Sequence, residues 1–336
     1  MSKFKILVTE SVGFPESARQ ILAQAGEVVL TDLDRAGIEN AVADCDVVFV
    51  RLRHAIDQGL LQKARQLKII ATPTTGLNHI DLESAAQQGV LVLSLRGEVE
   101  FLRDVRATAE HTIGLMLSLL RNIPSAERHV RGGEWNRDQF KGHELYEKTA
   151  GIVGYGRLGR LVAGYLRAFG MKVIASDPHL DAEARRFAAS QGVEFVPLSE
   201  LLERADIVSL HVNLDPATAG FFGPEQFAQM KAGAWFVNTS RGELIDETAL
   251  LGALQTGRLS GAALDVLQGE QSGAFTGSEL LRFAQQQGNL LITPHIGGCT
   301  YESLEKTEIF LAQKVVVALE QRLDSREREA VAAAAR

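Results

Sequence analysis

The chain has 336 residues, 46% of them hydrophobic and 23% charged, and a formal net charge of −7. That length suggests two domains, at roughly 150 residues each, and the composition excludes disordered and collagen-like chains. The acidic balance argues against nucleic acid or an anionic membrane as the main partner, since both call for basic patches. The two cysteines, Cys45 and Cys299, lie too far apart for a metal cluster or a disulfide framework, so no metal is expected and a reducing compartment is favoured. No stretch reaches the ~20 apolar residues of a membrane helix, and no long apolar run of a secretory leader stands near the start. The expectation is a cytoplasmic protein.

Short runs rich in β-branched residues predict strands at Lys5–Val8, Val28–Leu30, Asp46–Val50, Leu67–Ala71 and Val90–Leu93. Amphipathic stretches such as Glu16–Ala25 and Leu82–Gln88 separate them. A helical run from about Ala107 to Leu120 and a polar, glycine-containing passage over Arg131–Gly142 come next. A second block follows, with strands predicted at Ala150–Val153, Lys172–Ser176, Val193–Val196, Ile207–His211, Ala234–Asn238, Gly261–Val266 and Leu290–Thr293. Apolar strands alternating with helices of this length predict parallel sheets covered on both faces.

The strand ending at Val153 runs into Gly154-Tyr155-Gly156-Arg157-Leu158-Gly159, and a helical pattern follows. Gly154 permits the tight turn, Gly156 lets the backbone approach a pyrophosphate, and Gly159 lets the helix pack against the strand. The free amides and positive dipole end of the helix then face the anion. Asp177 closes the next strand, near the ~20-residue spacing expected of a ribose-binding carboxylate. A carboxylate there repels a 2′-phosphate, so the cofactor expected is NAD rather than NADP.

In an open α/β sheet, ligands bind beyond the carboxyl ends of the strands. Three predicted strand ends carry chemistry: Thr239-Ser-Arg241-Gly242, Leu267-Gln-Gly-Glu270 and Pro294-His295. Taken singly, such residues are usually a surface charge, a solvated loop acid and a structural histidine. Together on the cofactor edge they form a catalytic set. Arg241 can grip a carboxylate in a bidentate manner and polarise the adjacent carbonyl. His295 can exchange a proton with the alcohol or carbonyl oxygen, and Glu270, in contact with it, would orient the ring and favour the imidazolium. The reaction expected is reversible reduction of a 2-oxo acid to a 2-hydroxy acid.

The passages Gly151-Ile-Val-Gly-Tyr-Gly-Arg-Leu-Gly159, Asn238-Thr-Ser-Arg-Gly-Glu243, Ala263-Leu-Asp-Val266 with Glu270, and Thr293-Pro-His-Ile-Gly-Gly298 resemble the D-isomer-specific 2-hydroxyacid dehydrogenases. The resemblance covers nearly the whole chain. It implies Arg241, Glu270 and His295 as the catalytic set, and Asp265 as the family carboxylate near the nicotinamide carboxamide. It also implies His211 and Thr239 along the cofactor groove, and a backbone cradle for the substrate carboxylate at Thr75 and Gly76. The fold implied is α/β, with two doubly wound parallel-sheet domains. A Rossmann NAD-binding domain (101–298) is inserted into a flavodoxin-like substrate domain (1–100 with 299–336). Many members of that family form dimers through the helical region after the first crossing, which here includes Glu110–Leu120, so the resemblance implies a homodimer, and the partner is otherwise a small anionic substrate.

Arg51 and Arg53 resemble the Arg-x-Arg segment of phosphoglycerate dehydrogenases, where basic side chains face a distal phosphate; alternatively they grip any carboxylate. The short stretch after His295 leaves no regulatory domain expected behind the core. Three features depart from the family pattern. Asp104 stands where Asn is common, and Asn213 where Pro is frequent. The segment 96–106, usually small and polar, carries Arg96, Glu98, Glu100, Arg103, Asp104 and Arg106, and is expected to tailor the site to an unusual hydroxy acid. A rival reading on the same fold is an NAD(H)-sensing binding protein of the corepressor type. The complete Arg–Glu–His set and the lack of long basic flanks speak against it.

Overall fold

Twelve strands follow one another with helical crossovers in the computed structural model, which describes residues 4–271, 275 and 277–334, the backbone alone from 323 onward. The chain divides into two compact units, Met1–Val105 with Thr300–Arg336, and Arg106–Cys299.

The first unit holds β1 (Phe4–Val8), β2 (Gly26–Leu30), β3 (Val47–Phe49), β4 (Ile69–Ala71) and β5 (Leu91–Leu93). They form a parallel sheet in the order β2-β1-β3-β4-β5. Alternation of side chains along a strand decides which face each residue serves. Ile6, Val8, Val47, Phe49, Ile69 and Ala71 pack with Leu22 of the helix Glu16–Ala25 and with Leu311, Val315 and Leu319 of the helix Tyr301–Ala334. Leu7, Val48 and Ile70 point the other way, onto Ile38, Leu60, Leu61 and Ile80. Asp34, Asp57 and Asp81 start the helices that follow them by accepting a first-turn amide, a cap worth about 1 kcal/mol.

The second unit holds β6 (Thr149–Val153), β7 (Lys172–Ser176), β8 (Val193–Phe195), β9 (Ile207–Leu210), β10 (Ala234–Asn238), β11 (Leu259–Leu264) and β12 (Leu290–Ile292). Their order is β12-β11-β10-β9-β6-β7-β8, all parallel. Strand order reverses at β6, so the carboxyl ends of β6 and β9 frame the crevice in which such sheets bind a dinucleotide. One face is covered by Phe222, Phe227, Leu250 and Leu254. The helices Ala107–Leu120 and Arg157–Ala168 cover the other with Met116, Val162 and Leu166.

Every predicted strand is present; β7 and β10 match to the residue and the others shift by one or two residues at one end or both. β11 moves by two residues at both ends, to Leu259–Leu264, and its pairing with β10 is irregular between Ala234 and Trp235. The sequence reading missed the helix Ile123–Arg131, none of whose residues is buried. The polar passage after it contains the short 3₁₀ turn Arg137–Phe140.

Candidate active site

β6 runs into Gly154, whose φ of +89° suits glycine, and a Cβ there would strike the carbonyl of His211. Gly156 caps the helix Arg157–Ala168, and a Cβ at that position would meet open space. At Gly159 a Cβ would strike the Gly154 carbonyl, so only glycine lets this helix lie so near its strand. Asp177, just past β7, accepts the Tyr155 N–H (2.9 Å) and the His179 N–H (2.9 Å), which brings its carboxylate to the turn. Tyr155 itself is buried, its ring edge-on to Phe195 at 5.1 Å, and Leu158 packs against the same core. Arg157 is held among surroundings that desolvate it and lower its pKa.

His211 follows β9. Its Nε2 lies 3.0 Å from Ser209 Oγ, while its Nδ1 is buried with no hydrogen-bond partner among the described residues. Burial lowers its pKa to about 4, so the ring is neutral. Thr239 is buried with its hydroxyl 2.9 Å from that of Thr112. An open helix N-terminus over a glycine turn, a carboxylate beside it and an orphaned buried imidazole nitrogen together fit a dinucleotide.

The loops after β10, β11 and β12 present Arg241, Glu270 and His295. Asn238 shapes the first: its Nδ2 donates to the Arg241 carbonyl (2.8 Å) and its Oδ1 accepts the Ser240 N–H (3.0 Å). Arg241 Nη1 donates to the Ser240 carbonyl at 2.6 Å. At Gly242 a Cβ would strike the backbone of Leu267 and Gln268, so the Arg241 loop can press against the Glu270 loop only because position 242 is glycine. Glu270 Oε2 accepts the Leu267 N–H (3.1 Å) and its Oε1 contacts His295 Nδ1. Both side chains are 20% exposed, dry enough for a strong contact and open enough for a ligand.

His295 sits at φ +53°, which costs a non-glycine residue about 1–2 kcal/mol. Asp265 holds it there. The His295 N–H donates to the Asp265 carbonyl (2.8 Å). The Asp265 carboxylate accepts Thr293 Oγ1–H (2.6 Å) and the amides of Ile296 (2.9 Å) and Gly297 (2.7 Å). His111 Nε2 lies 3.2 Å from Asp265 Oδ1 and 3.1 Å from Thr293 Oγ1. Burial pushes the Asp265 carboxyl up, but these hydrogen bonds outweigh it and hold the group below the usual carboxylate range. His111 and Thr293 escaped the sequence reading. The single signal was an imidazole near the start of the helix Ala107–Leu120, whose second half is mostly apolar.

The other predicted residues lie in the first unit. Thr75 and Gly76 stand in a loop braced by Thr74, whose hydroxyl donates to the Gly76 carbonyl (2.7 Å). Thr72 Oγ1 lies 3.0 Å from Thr74 Oγ1 and 3.1 Å from the buried His79 Nε2. Arg51 and Arg53 each meet a carboxylate of their own unit, Glu308 and Asp32. In the charged segment, Glu98 pairs with Lys314 and Arg103 with Glu100.

A model of the D-isomer specific 2-hydroxyacid dehydrogenase NAD-binding domain matches residues 113–297. The chain belongs to this family. Its cofactor is NAD. D-3-phosphoglycerate dehydrogenase of Methanocaldococcus jannaschii is 39% identical over 93% of this chain, and that of Synechocystis 36% over 93%. The chain covers 56% and 53% of those proteins, about half their length. Among solved structures, D-lactate dehydrogenase from Aquifex aeolicus, complexed with NAD and lactic acid, superposes with a TM-score of 0.79 at 28% identity, covering 95% of this chain and 96% of the other. A structure reporting the pyruvate reductase of Chlamydomonas reinhardtii gives 0.82 at 25%, covering 95% and 97%. Among the described residues no helix of this chain is long and apolar enough to cross a membrane.

Proposed function

We propose that this chain interconverts a small 2-hydroxy acid and its 2-oxo acid, with Arg241, Glu270 and His295 as the catalytic residues. The observation that carries the reading is the Glu270–His295 contact on adjacent strand ends of the sheet that bears the glycine turn. NAD, when bound, supplies or takes up the hydride. Gly154 to Gly159 would hold its pyrophosphate, Asp177 its ribose, and His211 and Thr239 would line the groove. Arg241 binds the substrate carboxylate and polarises the neighbouring carbonyl. His295 gives its proton to the carbonyl oxygen during reduction and takes one from the alcohol during oxidation. Glu270, on the far nitrogen, fixes the tautomer and favours the charged ring. Asp265 keeps the His295 loop in place. The first unit serves as the substrate domain: the Thr75 and Gly76 amides cradle the carboxylate, and Arg51 and Arg53 face the distal end.

Cys45, buried, and Cys299, exposed, are in no disulfide among the described residues, which supports a reducing, cytoplasmic setting. Half-exposed Ile123 and Val130 on a helix with no buried residue support a homodimer through that region. The test of the activity offers NADH with a panel of 2-oxo acids and follows loss of the nicotinamide absorbance. Turnover is expected, and His295→Asn should lower kcat by about 10²–10⁴-fold while NADH binding persists. NADH binding without turnover of any 2-oxo acid would replace this reading with a sensor.

A further inference from the structure

The carboxyl edge of the five-stranded sheet gathers acids around the two arginines to which the proposed function gives the distal end of the substrate. Glu10 follows β1 and is 7% exposed; its Oε1 accepts the backbone N–H of Arg51 (3.0 Å) and of Arg53 (3.2 Å). Glu308, on the helix Tyr301–Ala334, is wholly buried, and its Oε1 accepts from Arg51 Nε at 2.5 Å. Arg51 Nη1 donates to the Val12 carbonyl at 2.8 Å. Arg53 Nη1 meets Asp32 Oδ1 at 2.9 Å. Two guanidinium groups thus stand among three carboxyl groups.

A phosphate monoester needs guanidinium charge that is not already compensated. Here it would reach Arg51 by displacing Glu308, and that would strand a buried carboxylate. Glu308 Oε2 is already buried without a hydrogen-bond partner among the described residues, so the Arg51 contact is what offsets the desolvation of this group. Glu10 adds a like-charge penalty for any anion arriving between the arginines. Burial raises the pKa of both glutamic acids, against the opposing pull of Arg51 and Arg53 on Glu10 and of Arg51 on Glu308. A distal hydrogen, methyl or hydroxymethyl requires no displacement.

We infer that Glu308 is a specificity-determining residue, which engages Arg51 and closes the distal subsite to phosphate. The substrates are then 2-hydroxy and 2-oxo acids with an uncharged distal group. This rests on the placement of Arg51 and Arg53 in the proposed function. The residue also separates this chain from a simple transfer of its relatives' phosphorylated substrate.

The experiment measures kcat/KM with NADH for hydroxypyruvate and phosphohydroxypyruvate, in the parent and in Glu308→Gln. The parent should favour hydroxypyruvate at least tenfold. The variant should move that ratio toward the phosphorylated substrate by at least tenfold, through KM rather than kcat. A parent that prefers the phosphorylated substrate, or a folded variant with an unchanged ratio, overturns the inference. If neither of these two substrates turns over, the wider panel of 2-oxo acids still decides the proposed function, and thermal denaturation with NAD and either glycerate or phosphoglycerate decides this point separately. Phosphoglycerate should then raise Tm no more than glycerate in the parent, and more than glycerate in the variant. A larger rise with phosphoglycerate in the parent overturns the inference, and that arm stands even if the variant fails to fold.

Discussion

Asp265→Asn tests how the catalytic imidazole is held. The carboxylate accepts Thr293 Oγ1–H, the Ile296 amide and His111 on or near one oxygen, and the Gly297 amide on the other. The asparagine amide loses least by turning its NH₂ to Gly297, where donor then faces donor. A buried amide losing a charged acceptor costs about 1.5–3 kcal/mol, and the remaining bonds lose roughly half their strength without the charge. With the clamp loosened, the left-handed backbone of His295, itself worth about 1–2 kcal/mol, is free to relax and carry the ring from Glu270. About 2–3 kcal/mol of lost population in the productive geometry corresponds to a fall in kcat of about 30- to 150-fold. The assay is steady-state NADH oxidation beside NADH binding by fluorescence. A kcat within twofold of the parent refutes the clamp. A raised Kd for NADH with unchanged kcat would give Asp265 to the cofactor alone.

Arg241→Ala should lower kcat/KM by about 10²-fold, from the loss of about 3 kcal/mol of charged hydrogen bonding, and the loss should appear in KM as well as kcat; an unchanged KM removes the carboxylate role. His211 has an ordinary imidazole value of about 6.5 when unfolded and about 4 when folded. A pKa lowered by folding gives stability that is present above the unfolded value and lost as pH falls through this window, here up to about 3 kcal/mol. His211→Gln should therefore flatten the dependence of the urea midpoint on pH between those values, and an unchanged slope would show that the group does not titrate with unfolding. Gly159→Ala places a methyl against the Gly154 carbonyl, at a cost of about 1–3 kcal/mol, and should weaken NADH binding as the helix backs away. Tm and NADH affinity equal to the parent's would mean that the helix does not need this close approach.

The alternation of apolar strands and amphipathic helices is a local property. Both parallel sheets were therefore legible from periodicity, as were the glycine turn and the three strand ends that bear Arg241, Glu270 and His295. Each of those residues sits within a few positions of the strand that presents it, so chain order alone carries it to the sheet edge. The helix Ile123–Arg131 was missed although Ile123, Ala126 and Val130 recur at helical spacing, because so short a stripe in a nine-residue segment with Pro124 in its first turn does not stand out. Contacts between distant segments were equally hidden. Asp265 looked like one more cofactor residue until its hydrogen bonds to Thr293, Ile296 and Gly297 tied it to the loop of His295. Gly242 gave no sign that the backbone of Leu267 and Gln268 passes against it. Arg51 read as cationic by residue type. Its charge is answered by Glu308, 257 positions away on the last helix, and only the packing of that helix onto the sheet brings the two together. The net charge of −7 was no guide to either arginine, because a formal sum over the chain does not say which carboxylate stands beside which guanidinium.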